Sequence, residues 1–217
     1  MGYYENGNNT RRVILDACKR LFYEKGYHET SSLDIARESH TNRNAIYYHF
    51  KDKETIRYEV LWEFMTQDYD FVKEYCDKPE YQFSLAMYLI YYRILQDAKL
   101  RKLFLDAMKD YPVYDPSKPI STIYQTAYDR MYGHFWDKEN INPLAFASVY
   151  GHLVCIFLMC DQHPEHYTAL ELFKHCMESG VIVWKIPIEE KAQIWDTLVS
   201  YIERIPLDEV KPMYQDD

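Results

Sequence analysis

Four residues in one short stretch carry chemistry that a passive surface does not need. Arg43, Asn44, Tyr47 and Tyr48 lie within Ser31 to Lys53, which reads SSLDIARESHTNRNAIYYHFKDK. At about 100° per residue they share one arc of a helix over 43–50, while Ile46 and Phe50 point the other way and give that helix a side to bury. The arc holds hydrogen-bond donors, flat rings and a single positive charge. Arginine pairs with guanine edges and asparagine with adenine edges in a DNA major groove, so the arc suits base readout. The plainer reading is a solvated helix surface.

Local elements must hold that arc in place. A short helix over Ser31–Glu38, a polar turn over Ser39–Asn42 and the second helix, closed by the charged turn Lys51-Asp52-Lys53, form a helix-turn-helix pattern. Upstream, Ile14, Ala17, Cys18, Leu21 and Phe22 recur at helical spacing and predict a helix from about Thr10 to Lys25. Asn9 or Thr10 can cap it, and Gly26 stands where a left-handed end is needed. Thr30 and Ser31 offer hydroxyls as N-caps to the next helix, whose free amides and dipole can also hold a phosphate. Residues 1–9 are polar and rich in Gly and Asn and read as a mobile arm, with Arg11 and Arg12 its nearby positive charges.

The run Ile14-Leu15-Asp16-Ala17-Cys18-Lys19-Arg20-Leu21-Phe22-Tyr23-Glu24-Lys25-Gly26-Tyr27, then Thr30-Ser31, Asp34-Ile35-Ala36 and Ile46-Tyr47-Tyr48-His49-Phe50-Lys51-Asp52-Lys53-Glu54, resembles the N-terminal domain of the tetracycline-repressor (TetR) family without a gap. The resemblance implies that Arg43, Asn44 and Ala45 face base edges, and that Tyr48 packs on the sugar-phosphate wall or a thymine methyl. It implies phosphate contacts for Tyr47, His49 and Lys53, beside Thr30 and Ser31. Two residues depart from the family pattern. His40 stands where the turn usually has Gly, which asks a histidine to adopt a left-handed conformation. Asn44 stands where a small residue is common, which changes the bases read. The resemblance further implies a homodimer whose two heads meet the half-sites of a pseudo-palindromic duplex operator, and a repressor released by a small apolar or aromatic effector. A regulator of the same fold without such an effector, and a helical carrier or enzyme with a vestigial head, are the alternatives.

Composition bounds the rest. The chain has 217 residues, 47% hydrophobic, and a formal net charge of −9. Residues 1–60 carry 10 Lys/Arg and 9 Asp/Glu, a net of +1; the remainder carries 15 and 25, a net of −10. A near-neutral head on an acidic body fits a few placed phosphate contacts and salt-sensitive binding, not a general coat for nucleic acid. No run of about 18 apolar residues exists, so no membrane span is expected, and the first residues lack the basic start and apolar core of a signal peptide. The five cysteines, Cys18, Cys76, Cys155, Cys160 and Cys176, read as reduced, buried small hydrophobes of a cytoplasmic protein.

The reading divides the chain into the arm (1–9), the DNA-binding domain (10–54) and an all-α effector-binding and dimerisation body (55–217). A helix starting after Asp52 has no Gly or Pro until about Cys76 and predicts a rod over 30 Å long (about 1.5 Å per residue), the transmission element of the resemblance. Prolines favour first turns, so Pro79, Pro143, Pro164 and Pro187 mark helix starts; the predicted helices span 80–97, 99–110, 118–137, 143–162, 165–179 and 187–205. Tyrosine is abundant at 22 residues. Tyr88, Tyr91, Tyr92, Phe104, Met108, Tyr124, Tyr128, Met131 and Tyr150 are candidates for an effector pocket; taken singly each reads better as a core side chain, and a pocket somewhere among them is what the resemblance implies. Ala147, Gly151 and Cys155, four apart, leave a flat stripe for a neighbouring helix; Ala192, Trp195, Val199 and Ile202 form a second stripe. The family's dimers pack two C-terminal helices on their symmetry mates, and these stripes are the candidates, with the 165–179 helix as substitute for the first and intrachain packing as the competing reading. Cys160, His163, His166, His175 and Cys176 form a soft-ligand cluster in which capping and surface roles explain the residues better than a metal, and no cofactor is expected. The sequence has no G-x-S-x-G, P-loop, G-x-G-x-x-G or H-E-x-x-H, and no enzyme is expected.

Overall fold

The computed structural model describes residues 2–110, 126–127, 129–131, 143–184 and 188–212. Among them the chain is helical, without strands. Three helices build the head: α1 (Gly2–Glu24), α2 (Ser32–Glu38) and α3 (Arg43–His49). The segment 2–9, expected as a mobile arm, instead continues α1. Ile14, Leu15, Cys18 and Phe22 from α1, Ile35 and Ala36 from α2, and Ile46 and Phe50 bracketing the end of α3 are buried together. Burying each of the larger side chains contributes about 1.5–3 kcal/mol, which is what holds two seven-residue helices that are too short to persist alone. Gly26 ends α1 at φ 93°, with its N–H on the Phe22 carbonyl at 3.2 Å.

Asp52 caps α4 (Lys53–Thr66) by accepting the Thr55 N–H at 2.7 Å. The expected continuous rod is interrupted after 14 residues, and a separate short helix α5 (Tyr69–Lys73) follows. Two side chains account for the break. The Thr66 hydroxyl donates back to the Trp62 carbonyl at 2.8 Å, a bond that bends helices. Asp68 turns inward to an ion pair with Arg93, both buried. Arg93 also donates to the Lys211 carbonyl at 3.0 and 2.6 Å, so one guanidinium joins the break to the C-terminal segment.

The body is built from α6 (Pro79–Gln96), α7 (Ala98–Asp110), α8 (Pro143–Gln162), α9 (Ala169–Trp184) and α10 (Ile188–Ile202), with short 3-10 turns at Pro164–His166 and Leu207–Glu209. Proline opens α6 and the Pro164 turn and is the first residue of α8. Helix α6 is central: α4, α5, α7, α9 and α10 all pack on it, and α8 packs between α7 and α9. The expected 165–179 helix is displaced to 169–184 because the chain first makes the Pro164 turn, and Val181-Ile182-Val183 lies inside α9. Most of the expected 118–137 helix, with Tyr124 and Tyr128, lies outside the described residues.

Candidate nucleic-acid interface

The reading unit is set by local hydrogen bonds. Ser31 caps α2 with a capping box: its Oγ accepts the Asp34 N–H at 3.1 Å, and Asp34 Oδ2 accepts the Ser31 N–H at 2.8 Å and hydroxyl at 2.6 Å. These bonds, the Ser31 hydroxyl first, hold the Asp34 carboxyl well below the usual carboxylate range, with help from Lys25 at 2.9 Å. At its other end α2 closes on His40, at φ 51°. The His40 N–H reaches the Arg37 carbonyl at 3.3 Å and the Thr41 N–H the Ala36 carbonyl at 2.9 Å, the paired bonds of a Schellman end. The left-handed turn expected at His40 is thus present in a residue with a Cβ. Ser39 is buried and donates to the Ile35 carbonyl at 2.7 Å.

Asn42 caps α3 by accepting the Ala45 N–H at 2.9 Å. On the inner side Ile46 and Phe50 are each 2% exposed, and the Arg11 guanidinium lies 4.6 Å above the Phe50 ring. On the outer side Arg43, Asn44, Tyr47 and Tyr48 are exposed, Tyr48 at 84%. Ala45 and His49 sit half-buried at the edges, with the His49 ring edge-on to Tyr48 at 5.0 Å. The arc read from sequence is therefore one surface of the molecule. Ser32, which sequence reasoning passed over, joins it: its hydroxyl and that of Tyr47 are 2.7 Å apart, coupling α3 to the start of α2.

Three expected phosphate contacts are placed otherwise. Thr30 is 1% exposed and donates to the Gly26 carbonyl at 2.7 Å, so its hydroxyl closes a loop. The Ser31 hydroxyl proton goes to Asp34, whose charge occupies the helix start where a phosphate was expected. Lys53 turns inward, donating to the Tyr27 and Thr30 carbonyls at 2.8 Å each, with its ammonium 4.1 Å from the Tyr27 ring centre. Burial, then repulsion from Arg57, pulls the Lys53 pKa down. A single lysine thereby anchors the α1–α2 loop to the base of α4.

Pairing also sorts the other cations of the head. Arg11 is bound to Glu59 at 2.5 Å, Arg12 to Asp16 at 2.7 Å and to Glu63 at 2.5 Å, and Arg20 to Glu38 at 2.9 Å. Arg37, Arg43 and Lys51 have no ion pair among the described residues. They flank or begin α3. Neither Arg37 nor Lys51 stood out in the sequence, because which of ten basic residues keeps its charge unspent is settled by contacts between helices.

Head and body meet at Arg57, 1% exposed on α4. Its guanidinium pairs with Asp110 at the end of α7 and lies 3.9 Å over the Tyr27 ring. His28 Nε2 reaches the other Asp110 oxygen at 3.2 Å. Further inside, Tyr88 packs on Phe173 (5.8 Å between ring centres), Tyr91 on Phe157 and Phe173 (6.2 and 6.3 Å), and Phe104 on Phe157 (6.3 Å). Met108, Met131 and Tyr150 are also buried; burial pushes the Tyr150 hydroxyl up to about 12. Tyr92 belongs elsewhere, in a cleft of about 430 Å³ with Tyr23, Asp97, Lys99 and Lys211. Among the described residues, the candidate pocket set is thus a packed ring cluster (Tyr88, Tyr91 and Phe104), three further buried side chains and one residue in a separate cleft.

Along α8 the expected stripe faces outward. Leu144 is 77% and Met159 51% exposed, Cys155 is exposed, and Ala147 and Gly151 are half-buried. Cys155 departs from the expected burial; the other four cysteines are buried, and all five are free. The α10 stripe divides. Ala192 is exposed and Trp195 and Val199 are half-buried, but Ile202 is buried in the chain's own core, which removes it from the outward face.

Residues 14–60 match the family model described as bacterial regulatory proteins, tetR family. The chain is 42% identical over 59 residues to the HTH-type transcriptional regulator AcrR of Shigella flexneri, covering 27% of each chain. It is 38% identical over 53 residues to the HTH-type transcriptional regulator QacR of Staphylococcus aureus, covering 24% of this chain and 28% of that one. The matches therefore span about a quarter of these relatives' lengths. Over 85% of this chain and 96% of the other, the fold is similar to that of RolR crystallised without ligand, at a TM-score of 0.53 and 16% identity.

Proposed function

From the match of its head, residues 14–60, to the model of the tetR family of bacterial regulatory proteins, we propose that the chain is a sequence-specific DNA-binding transcription regulator that acts as a repressor. The observation that carries the reading is the exposed arc of Arg43, Asn44, Tyr47 and Tyr48 on a helix whose opposite side is locked into the head by Ile46 and Phe50. Arg43 and Asn44 read base edges, Tyr48 meets the groove wall, and Tyr47 with Ser32 offers paired hydroxyls to a phosphate. Arg37 and Lys51 supply unpaired charge beside them.

The stripe of α8 supports a homodimer, because its small residues Ala147 and Gly151 are only half-buried and Cys155 is exposed, which leaves room for the close approach of a second helix. Two heads on one symmetry axis meet two half-sites of a pseudo-palindrome. We further propose release by a small apolar or aromatic effector, and the aromatic side chains between α6, α8 and α9 are its candidate lining. Such a molecule shifts the population of head positions by its differential affinity for the two states. The contact of Asp110 with both Arg57 and His28 gives the shift a route into the head.

In vitro selection from random duplex DNA tests the reading. An enriched pseudo-palindrome is the expected outcome, and no enrichment at low salt would sink it. The Arg43→Ala variant should relax base preference in one half-site position and weaken binding by about 1–3 kcal/mol, measured by titration of the selected duplex; unchanged preference would remove α3 as the reading helix.

A further inference from the structure

Where α8 ends, His163-Pro164-Glu165-His166 forms a tight 3-10 turn with proline at its first position. Three residues make one turn of such a helix, so side chains i and i+3 eclipse. His163 and His166 do so here: their rings are stacked, 14° from parallel with centres 4.9 Å apart. Glu165 lies between them, with Oε1 3.5 Å from His163 Nδ1 and 3.6 Å from His166 Nε2. One donor atom from each of the three lies within 4.8 Å of the others. The turn is pinned by the His166 N–H on the His163 carbonyl at 3.1 Å and the His163 N–H on the Met159 carbonyl at 3.0 Å.

We propose that His163, Glu165 and His166 form a binding site for a borderline divalent transition-metal ion such as zinc. Two imidazoles and a carboxylate are a donor set that zinc accepts at about 2.0–2.2 Å. Tetrahedral ligands at that distance sit about 3.3–3.5 Å apart, so two of the three separations are nearly set; the stacked rings aim their lone pairs along near-parallel planes, and one exposed imidazole must turn about its side-chain torsions to bring its nitrogen to the ion. The side chains are 58–64% exposed, so binding costs them little burial. The carboxylate faces two imidazole nitrogens and has no lysine or arginine partner among the described residues. A cation between them supplies the missing positive charge.

The site differs from the cluster suggested by spacing. Cys160 and Cys176 are buried and take no part, while Glu165, which spacing did not single out, is the central ligand. Three protein ligands leave a fourth position open. His166 also lines a cleft of about 370 Å³ between α8 and α9, together with His152, Glu171 and His175. The ion therefore sits at the rim of a cleft that can admit water or a small anionic ligand to that position.

The test is a zinc chloride titration of the metal-free full chain in competition with a colorimetric zinc chelator. One strong equivalent per chain is expected, weakened at least about tenfold in the His163→Ala/His166→Ala variant and in Glu165→Ala, and kept in Cys155→Ser. Cobalt substitution gives a second readout, with visible bands of a nitrogen- and oxygen-liganded ion that the double variant lacks. Absence of a strong equivalent, equal binding by the double variant, or loss in Cys155→Ser would each overturn the assignment. The substituted side chains are exposed, so circular dichroism should show unchanged helix content. The titration uses no DNA, so its outcome is independent of the regulatory reading.

Discussion

His40 holds a left-handed turn at φ 51°, a conformation that costs a residue with a Cβ about 1–2 kcal/mol. Glycine removes that cost but loses about 0.5–1 kcal/mol in chain entropy. The His40→Gly variant should therefore gain up to about 1 kcal/mol, read as a higher urea midpoint with the slope unchanged. Lys51 and Lys53 make a sharper pair. Lys53→Ala removes two bonds to carbonyls and should lower stability by about 1–3 kcal/mol, while Lys51→Ala should leave stability alone and flatten the salt dependence of DNA binding by about one unit of slope. Equal effects on the salt slope would contradict the inward placement of Lys53. Two lysines in one charged turn look alike as letters. Only the packing of the Tyr27–Thr30 loop onto α4 separates them, and for the same reason Thr30 read as a phosphate ligand when it is a loop closure. The Arg43 arc was legible because it depends on helical angle alone.

Among the elements, α2 carries its pH dependence in its cap. The Asp34 carboxyl is held below the usual carboxylate range by the Ser31 hydroxyl and amide, so the unfolded chain takes up the proton first. Its stabilising effect is complete above that range and lost as pH falls through it toward the folded value. Asp34→Asn should lower the melting temperature near neutral pH and flatten its decline below about pH 5, followed by circular dichroism. A parallel decline in both proteins would exclude this cap as a source of acid sensitivity. Helix starts at Pro79 and Pro143 were readable because proline acts on its own backbone, whereas Pro164 opened only a 3-10 turn and the helix began at Ala169. The end of α4 was not. Thr66 and Asp68 are tolerated within helices, and Asp68 stops the rod only because Arg93, 25 residues later, waits to pair with it.

At the scale of the whole molecule, α8 carries a stripe of small and apolar residues in which Ala147 and Gly151 are half-buried and Cys155 and Met159 are exposed. An added Cβ at Gly151 meets nothing within 4 Å, so under the proposed dimer a larger side chain there is accommodated by the described residues of its own chain and pressed against the second. Gly151→Leu should leave the single chain folded yet weaken the dimer, shifting sedimentation toward monomer at equal concentration. An unshifted profile would move the interface elsewhere. Spacing alone marked the small residues of this stripe, but it also marked Ile202, which the chain keeps for itself. Periodicity identifies a face without saying whose neighbour will meet it. The body's aromatics were ambiguous in the same way, since packed rings and pocket walls share one composition.

The break after Thr66 changes the mechanics of the connection. A rod running to Cys76 would be a lever of about 36 Å, whereas α4 as it stands is one of about 21 Å. Carrying its far end by about 3.4 Å, the spacing of neighbouring base pairs, takes a swing of roughly 9° for the short arm and only about 5° for the long one. A shorter arm needs a larger turn at its fulcrum and is proportionately deaf to small jostling of the body. Under the proposed regulatory mechanism, that geometry favours a head that ignores tremor and answers a full stroke.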